Sequence, residues 1–165
     1  RSFSIYNAST GAQVYDSGSD LEKLAYSTMP ISLLSKDQVL GRLDNKGPEP
    51  EGLVIGKVGG RSIAFIGLER AGGFMVYDVT TPTAPVFNSY VNPLLAGGQG
   101  PGTTDTGPEG LVFVSGCETS DGVPLVLVAN EISGTTTMYQ VTGGAADDCS
   151  DPAATGVVAT PAFTG

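Results

Sequence analysis

Glutamates recur at matching places in this sequence, and their carboxylates are the side chains best suited to chemistry. The stretch GPEPEGLVIG is followed later by GPEGLVFV, so Glu51 and Glu109 each precede an apolar segment, while Glu69 and Glu131 each end the next one. Two carboxylates about 5 Å apart in water repel each other by roughly 1 kcal/mol, and by more when desolvated. Several together therefore favour a bound cation, and oxygen ligands select Ca²⁺ or Mg²⁺.

The composition excludes several other kinds of site. Histidine is absent, which removes Ser-His-Asp and Cys-His catalysis and the usual zinc sites. The net charge is −9, from 17 acidic and 8 basic residues. This argues against a nucleic-acid partner, because affinity for phosphates comes mainly from Lys and Arg. The sequence also lacks the apolar run of about 18 or more residues that a transmembrane helix needs.

The glutamates belong to an internal repeat. Residues 50–80 align with residues 108–142, and each unit is predicted to form three strands. The second strand of each unit is almost wholly apolar, as expected when both faces of a sheet are covered. A fourth strand, PVFNSYV, follows at 85–91, and the N-terminal residues 1–18 resemble the third and fourth strands of a preceding unit.

Four antiparallel strands in each repeated unit are typical of a β-propeller. The sequence therefore predicts an all-β fold: a partial β-propeller of about two and a half four-stranded antiparallel blades with a short helical insertion. Tyr6, Tyr77 and Tyr139 occupy equivalent positions in it. The predicted segments are half a blade at 1–18, an insertion with short helices at 19–47, a complete blade at 48–92, a Gly-rich linker at 93–107, three strands of the next blade at 108–142 and an extended tail at 143–165.

Strand direction predicts where the acids lie. In an up-and-down blade the first strand is innermost, and it begins at the rim where the second strand ends. We expect this rim to be the functional face and to bind a divalent cation, most favourably Ca²⁺. The candidate ligands are Asp44, Glu49, Glu51, Glu69, Asp105, Glu109 and Glu131. Alternatively, the glutamates cap backbone N–H groups of a neighbouring strand, or they pair with Lys46 or Arg70.

The capping-box patterns SDLE and SKDQ predict two short helices in the insertion. Two cysteines, Cys117 and Cys149, are expected on the rim opposite the acids, where they favour a disulfide; the alternative is two free thiols in a reducing compartment. On that same rim, Asn7 begins the triplet NAS, an acceptor for N-glycosylation.

Four stretches carry a resemblance to a known family: DNKGPEPEG, AFIGLERAGGFMVYDVT, TGPEGLVFV and LVLVANEISGTTTMYQV. They resemble the C-terminal part of the choice-of-anchor I domain, a family that includes mesenchyme-specific cell-surface glycoproteins and atypical alkaline-phosphatase-like secreted proteins. The resemblance covers residues 1 to about 142. It implies a larger propeller that is extracellular, periplasmic or at the cell surface, of which this chain is the C-terminal portion.

Three functions remain open at this point. The first is a non-catalytic propeller module that binds a partner, a matrix or a divalent cation through its acidic rim. The second, implied by the resemblance, is part of a metal-dependent phosphomonoesterase. The third is a structural subunit that assembles through blade edges. In each case we expect the remaining blades of a parent propeller, or other copies of the chain, to be partners.

Overall fold

The computed structural model describes residues 1–28, 45–95, 105–144 and 149. In these residues the fold is mostly β, with antiparallel sheets, one short α-helix and no closed barrel. The elements are β1 (Ser4–Tyr6), β2 (Gln13–Asp16), α1 (Asp20–Thr28), β3 (Pro50–Val58), β4 (Arg61–Leu68), β5 (Phe74–Asp78), β6 (Val86–Val91), β7 (Pro108–Val114), β8 (Leu125–Asn130) and β9 (Thr135–Gln140), with 3₁₀ helices at Pro93–Leu95 and Gly116–Glu118.

The strands form three sheets in chain order. β1 and β2 make a hairpin, β3 to β6 make a four-stranded meander, and β7 to β9 make a three-stranded one. Helix α1 begins inside the SDLE pattern, whereas the SKDQ pattern lies outside the described residues. The sheets thus follow the predicted strands, and the number of blades in a complete propeller stays a prediction.

The four-stranded sheet is packed on both faces, as its apolar second strand predicts. From one face of β4, Ala64, Ile66 and Leu68 join a core with helix α1 and the first hairpin. From the other face, Ile63 and Phe65 join a second core with the three-stranded sheet. Every residue of β4 from Ile63 onwards is buried, so this sheet forms the centre of a stack.

Strand β8 differs from this prediction, because only one of its faces is covered. Val126 and Val128 are buried against the four-stranded sheet, but Leu125 and Leu127 are half-buried and Ala129 is exposed. The reason is that, within the described residues, no further sheet lies beyond the three-stranded one. An apolar face is therefore left open at this end of the stack.

The inner strands of the two larger sheets approach each other closely at Gly52. A Cβ atom on Gly52 would lie 2.3 Å from the carbonyl oxygen of Glu109, and one on Gly56 would lie 2.5 Å from the ring of Phe113. Distances this short require glycine, because any side chain would push the two backbones apart. The glycine that follows Glu51 thus allows β3 and β7 to lie side by side.

The predicted disulfide between Cys117 and Cys149 is present, with the Cα atoms 5.5 Å apart. Cys117 lies in the 3₁₀ helix after β7, which Ser115 and Glu118 close with reciprocal capping hydrogen bonds. Cys149 follows β9, whose last residue, Gln140, lies at the same end of the sheet because it pairs with Leu125. The disulfide therefore fixes the chain after β9 at this end.

Candidate functional site

The strand register brings the acidic residues to one rim. Pro50 pairs with Leu68 at one end of β3 and β4, and Pro108 pairs with Asn130 at the same end of β7 and β8. The acids next to these pairs are Glu51, Glu69, Glu109 and Glu131. In each sheet a backbone bond ties the two strands together just beyond the pair: the Glu69 N–H donates to the Glu49 carbonyl at 2.8 Å, and the Glu131 N–H donates to the Gly107 carbonyl at 2.7 Å.

Glu49 has an unusual backbone for its residue type. Among the described residues, Glu49 is the non-glycine residue that has a positive φ, 48°. Its carbonyl accepts the same hydrogen bond as the carbonyl of Gly107 does in the neighbouring sheet, so the two positions are equivalent, and the φ of Gly107 is 72°. A residue with a side chain pays roughly 1–2 kcal/mol for this left-handed conformation. Something in the site must therefore hold the Glu49 side chain in place.

Two cationic side chains hold it. Lys46 Nζ lies 2.7 Å from Glu49 Oε1, and Arg70 Nε donates to Glu49 Oε2 at 2.7 Å. Arg70 also reaches Glu69 Oε1 through Nη2 at 2.8 Å. Glu49 and Glu69 are only 9% and 7% exposed. For these two glutamates the alternative of pairing with Lys46 or Arg70 is thus what the structure contains.

In the neighbouring sheet, the positions equivalent to Glu49 and Arg70 carry no charge. In the repeat, Ile132 is equivalent to Arg70, since each follows the glutamate that ends the second strand. A Cβ atom on Gly107 would lie 2.7 Å from Ile132 Cγ1. The four-stranded sheet therefore has Glu49 and Arg70 where the three-stranded sheet has Gly107 and Ile132, so the charged cluster is found in one of these two sheets.

Burial and charge act on the two buried carboxylates in opposite directions. Burial raises the pKa of Glu69 above its usual value, and the nearby Glu51 and Glu49 raise it further against the opposing effect of Arg70. Burial also works to raise the pKa of Glu49, but its hydrogen bonds and ion pairs with Lys46 and Arg70 outweigh that and leave the pKa lowered. The pKa of Arg70 is raised, first by its hydrogen bond to Glu49.

The structure brings three of the predicted ligands together. One carboxylate oxygen from each of Glu49, Glu51 and Glu69 lies within 4.8 Å of the others. The cluster therefore contains three carboxylates but only two cationic side chains, those of Lys46 and Arg70. Glu51 is exposed. The excess negative charge is therefore reachable from solvent.

The other predicted ligands are placed differently. Asp105 accepts hydrogen bonds from the hydroxyls of Thr135, at 2.6 Å, and Thr137. Glu109 and Glu131 are exposed, and Glu131 is close enough to contribute to the raised pKa of Arg70. Asp44 lies outside the described residues.

Sequence reasoning named Lys46 and Arg70 only as alternatives and missed that both hold Glu49. The alignment of the two repeat units contained the signal, because Arg70 aligns with Ile132 and Glu49 aligns with Gly107. At the far end of the first hairpin, Asn7 is exposed, and its side-chain oxygen accepts hydrogen bonds from the backbone N–H groups of Ser9 and Thr10.

Two comparisons relate the chain to known proteins. Residues 1–82 match the sequence profile of the choice-of-anchor I domain. Gigasin-3a of Magallana gigas is 30% identical over 159 residues, an alignment that covers 87% of this chain and 56% of that protein. The chain thus spans little more than half the length of this curated relative. No solved structure is significantly similar to the chain.

The localisation has three consistent indications. The domain match, the relative and the disulfide fit a secreted or cell-surface protein. In the part of the chain that the structure describes, no helix has the length and apolar character needed to cross a membrane.

Proposed function

Because the chain belongs, over residues 1–82, to the choice-of-anchor I domain family, we propose that it is a non-catalytic β-propeller module of an extracellular protein. Its acidic rim binds a divalent cation, with Ca²⁺ the preferred ion. The observation that carries this proposal is the meeting of carboxylate oxygens from Glu49, Glu51 and Glu69 within 4.8 Å.

The charges around the cluster support a cation rather than a further ion pair. Lys46 and Arg70 already contact the carboxylate of Glu49, and Arg70 also contacts that of Glu69. Burial raises the pKa of Glu69, and the neighbouring Glu51 and Glu49 raise it further against the opposing effect of Arg70, so negative charge is in excess here. A hard cation at this point relieves the repulsion and is reached by water, which completes its six to eight oxygen ligands.

Titration of Glu69 tests this arrangement. Followed by NMR, the side-chain carboxyl of Glu69 should have a raised pKa in the full chain, and this pKa should fall when Ca²⁺ is added or when Glu51 is replaced by Gln. The physical reason is the same in both cases, since the negative charge beside Glu69 is neutralised or removed. Glu118→Gln is the control, because Glu118 lies at the opposite end of β7 and Gln also completes its capping box.

A pKa of Glu69 that does not respond to Ca²⁺ would contradict the cation site. A pKa that responds to neither Ca²⁺ nor Glu51→Gln would contradict the cluster itself. Because the charged form of Glu69 binds the cation, Ca²⁺ affinity should increase as the pH rises through the pKa of Glu69.

The internal repeat also indicates what covers the open face of the three-stranded sheet. Val112, Leu127 and Met138 form a row across its outer face, with Val112 57% and Met138 64% exposed. The equivalent row of the preceding sheet is Val54, Phe65 and Val76. That row packs against the next sheet, where Phe65 stacks on Phe113 with ring centroids 5.9 Å apart.

We infer that the open row is covered by a further blade of the parent propeller. The length of the curated relative supports this occupant, because the chain accounts for only 56% of that protein. At the other end of the stack, Leu53 and Ile55 of the innermost strand are also more than half exposed. These two residues lie where the first two strands of the N-terminal half-blade would pack. Both ends of the stack therefore have apolar surface that further blades could cover.

The isolated chain should therefore associate through the open row. In analytical ultracentrifugation we expect concentration-dependent self-association, because exposed apolar sheet faces pair when their natural partner is missing. Met138→Lys should shift the chain towards monomer. Val86→Lys is the matched control, since Val86 is a similarly exposed aliphatic residue on the outermost strand β6. A chain that stays monomeric, or equal effects of the two lysines, would contradict the docking of a further blade.

The hairpin tip adds a candidate modification to this extracellular module. Asn7 of the triplet NAS is exposed in a tight turn. We propose it as a site for N-linked glycan, which would then extend from the rim opposite the acidic cluster.

A further inference from the structure

The third strands of the three sheets are equivalent, but one of them has an open edge in the described part of the chain. β1 pairs with β2 and β5 pairs with β6, whereas β9 forms the border of its sheet there. The Val141 N–H donates to the Pro124 carbonyl at 2.8 Å and so points towards β8. By the alternation of an antiparallel ladder, the N–H groups of Thr136, Met138 and Gln140 then point to the open edge.

A groove of about 260 Å³ lies beside this edge. Its lining is mostly apolar and includes Phe74, Val76 and Val91 of the four-stranded sheet and Val126 and Tyr139 of the three-stranded one. The four-stranded sheet extends one strand further, to β6, than the sheet that packs on it. The space over β6 is therefore one strand wide, and a strand added to the edge of β9 would lie in it.

The described residues that follow β9 do not return along this edge. In the four-stranded sheet a short turn leads from β5 into β6. After β9, Gly144 lies so close to β3 that a Cβ atom on it would be 2.6 Å from Val58 Cγ1, and Cys149 is bonded to Cys117 just after β7. Both contacts are with the inner strands, on the far side of the sheets from β9. The rest of the extended tail predicted at 143–165 lies outside the described residues.

The four-stranded sheet indicates which side chain an added strand should carry. Tyr77 and Tyr139 are equivalent, and each ring packs edge-on against a phenylalanine, Phe3 at 4.9 Å and Phe74 at 5.0 Å. The ring of Tyr77 also packs edge-on against its cross-strand partner Phe87 of β6, at 5.4 Å. Among the described residues, Tyr139 has no such partner on a fourth strand. An aromatic side chain opposite Tyr139 would complete the equivalent pair.

The sequence of β9 does not protect its edge. Edge strands commonly carry charged residues, proline or a bulge that prevents further pairing. β9 reads TTTMYQ and contains neither a charged residue nor proline, and its register with β8 is regular. By contrast, Pro85 directly precedes β6, the edge of the four-stranded sheet, and the ladder between β5 and β6 is irregular. β9 is therefore the described strand best suited to accept a further strand.

We propose that the edge of β9 and the groove beside β6 bind an extended segment of a partner polypeptide by strand addition. The segment pairs antiparallel with β9, as β6 pairs with β5. Main-chain hydrogen bonds to β9 supply affinity, and the apolar groove selects a segment with an aromatic side chain opposite Tyr139. Because the groove is one strand wide, its occupant is a single extended segment and not the sheet edge of a second folded copy.

A synthetic peptide tests the proposal on the full chain. The probe is APVFNSYV, which copies residues 84–91 and so the sequence of β6. At saturation it should slow hydrogen exchange of the Thr136, Met138 and Gln140 N–H groups by about tenfold or more, while the Val141 N–H, which already bonds to β8, should not respond. The same peptide with Phe87→Ser is the control and should bind about tenfold more weakly, because it lacks the aromatic side chain.

A pair of chain variants tests the aromatic contact from the other side. Tyr139→Leu should weaken binding of the peptide by about tenfold. Tyr6→Leu is the matched control, because Tyr6 is the equivalent tyrosine of β1 but is exposed and remote from the groove. This variant should bind the peptide as the wild type does.

Three outcomes would overturn the proposal. Slow exchange of the three N–H groups without peptide, at every protein concentration, would mean that other residues of the chain cover the edge. Slow exchange that depends on protein concentration would mean that a second copy covers it. Rapid exchange that millimolar peptide does not change would contradict strand addition itself.

Discussion

Gly52→Ala is expected to lower the free energy of unfolding by about 2–3 kcal/mol, a cost typical of overpacking a well-packed contact. The added methyl would lie 2.3 Å from the Glu109 carbonyl oxygen and 2.4 Å from Leu111 Cδ1. The leucine can rotate, but the carbonyl belongs to the backbone of β7, so the two inner strands must separate. Chemical denaturation followed by circular dichroism measures the change.

The repeat supplies the control for this prediction. Gly110 follows Glu109 as Gly52 follows Glu51, yet a Cβ atom on Gly110 would meet only the Cβ of Ala129, at 3.5 Å, which is ordinary contact. Gly110→Ala should therefore change the free energy of unfolding by less than about 1 kcal/mol. Equal costs for the two substitutions would show that strand propensity, and not the approach of β3 to β7, requires glycine.

Arg70→Ile is expected to have the largest effect, a loss of about 3–5 kcal/mol at neutral pH. Removing one partner of a buried ion pair leaves the other charge without compensation, and Arg70 is the contact that Glu49 and Glu69 share. Adding Glu49→Gly should recover at least half of the loss, because the pair then copies Gly107 with Ile132 in the next sheet. A double variant no more stable than Arg70→Ile would contradict this equivalence.

The loss of unfolding free energy caused by Arg70→Ile should depend on pH, and the direction of this dependence can be predicted. The pKa of Glu49 is lowered in the folded chain, so its ion pairs contribute stability above the unfolded pKa of about 4.3. That contribution is lost as the pH falls through the lowered folded pKa. The difference in unfolding free energy between the wild type and Arg70→Ile should therefore shrink in acid. A constant difference from pH 7 to pH 3 would mean that Arg70 stabilises by packing alone.

The strands and the shared rim could be predicted from the sequence because they depend on local pattern. Alternating and continuous apolar segments fix the strands, and antiparallel order then places Glu51 and Glu69 at one end. The partners of Glu49 could not be predicted in this way. Its contact with Arg70 joins residues 21 positions apart, and it depends on a left-handed backbone that residue type disfavours.

The open faces show a different limit of sequence reasoning. An apolar strand such as β8 predicts that both of its faces are covered, but it does not indicate which segment covers them. Leu127 is only half-buried and Met138 is exposed, because within the described residues no further sheet packs on this face. The sequence therefore predicted the burial of β4 correctly on both faces, but it predicted the burial of β8 correctly on one face only.

Calorimetric titration of Ca²⁺ into the full chain at neutral pH tests the acidic rim most directly. One Ca²⁺ should bind each chain, and Glu51→Gln should abolish that binding because it removes the exposed carboxylate of the cluster. Glu118→Gln should bind as the wild type does. The absence of binding at millimolar Ca²⁺, or unchanged binding by Glu51→Gln, would contradict a cation site formed by Glu49, Glu51 and Glu69.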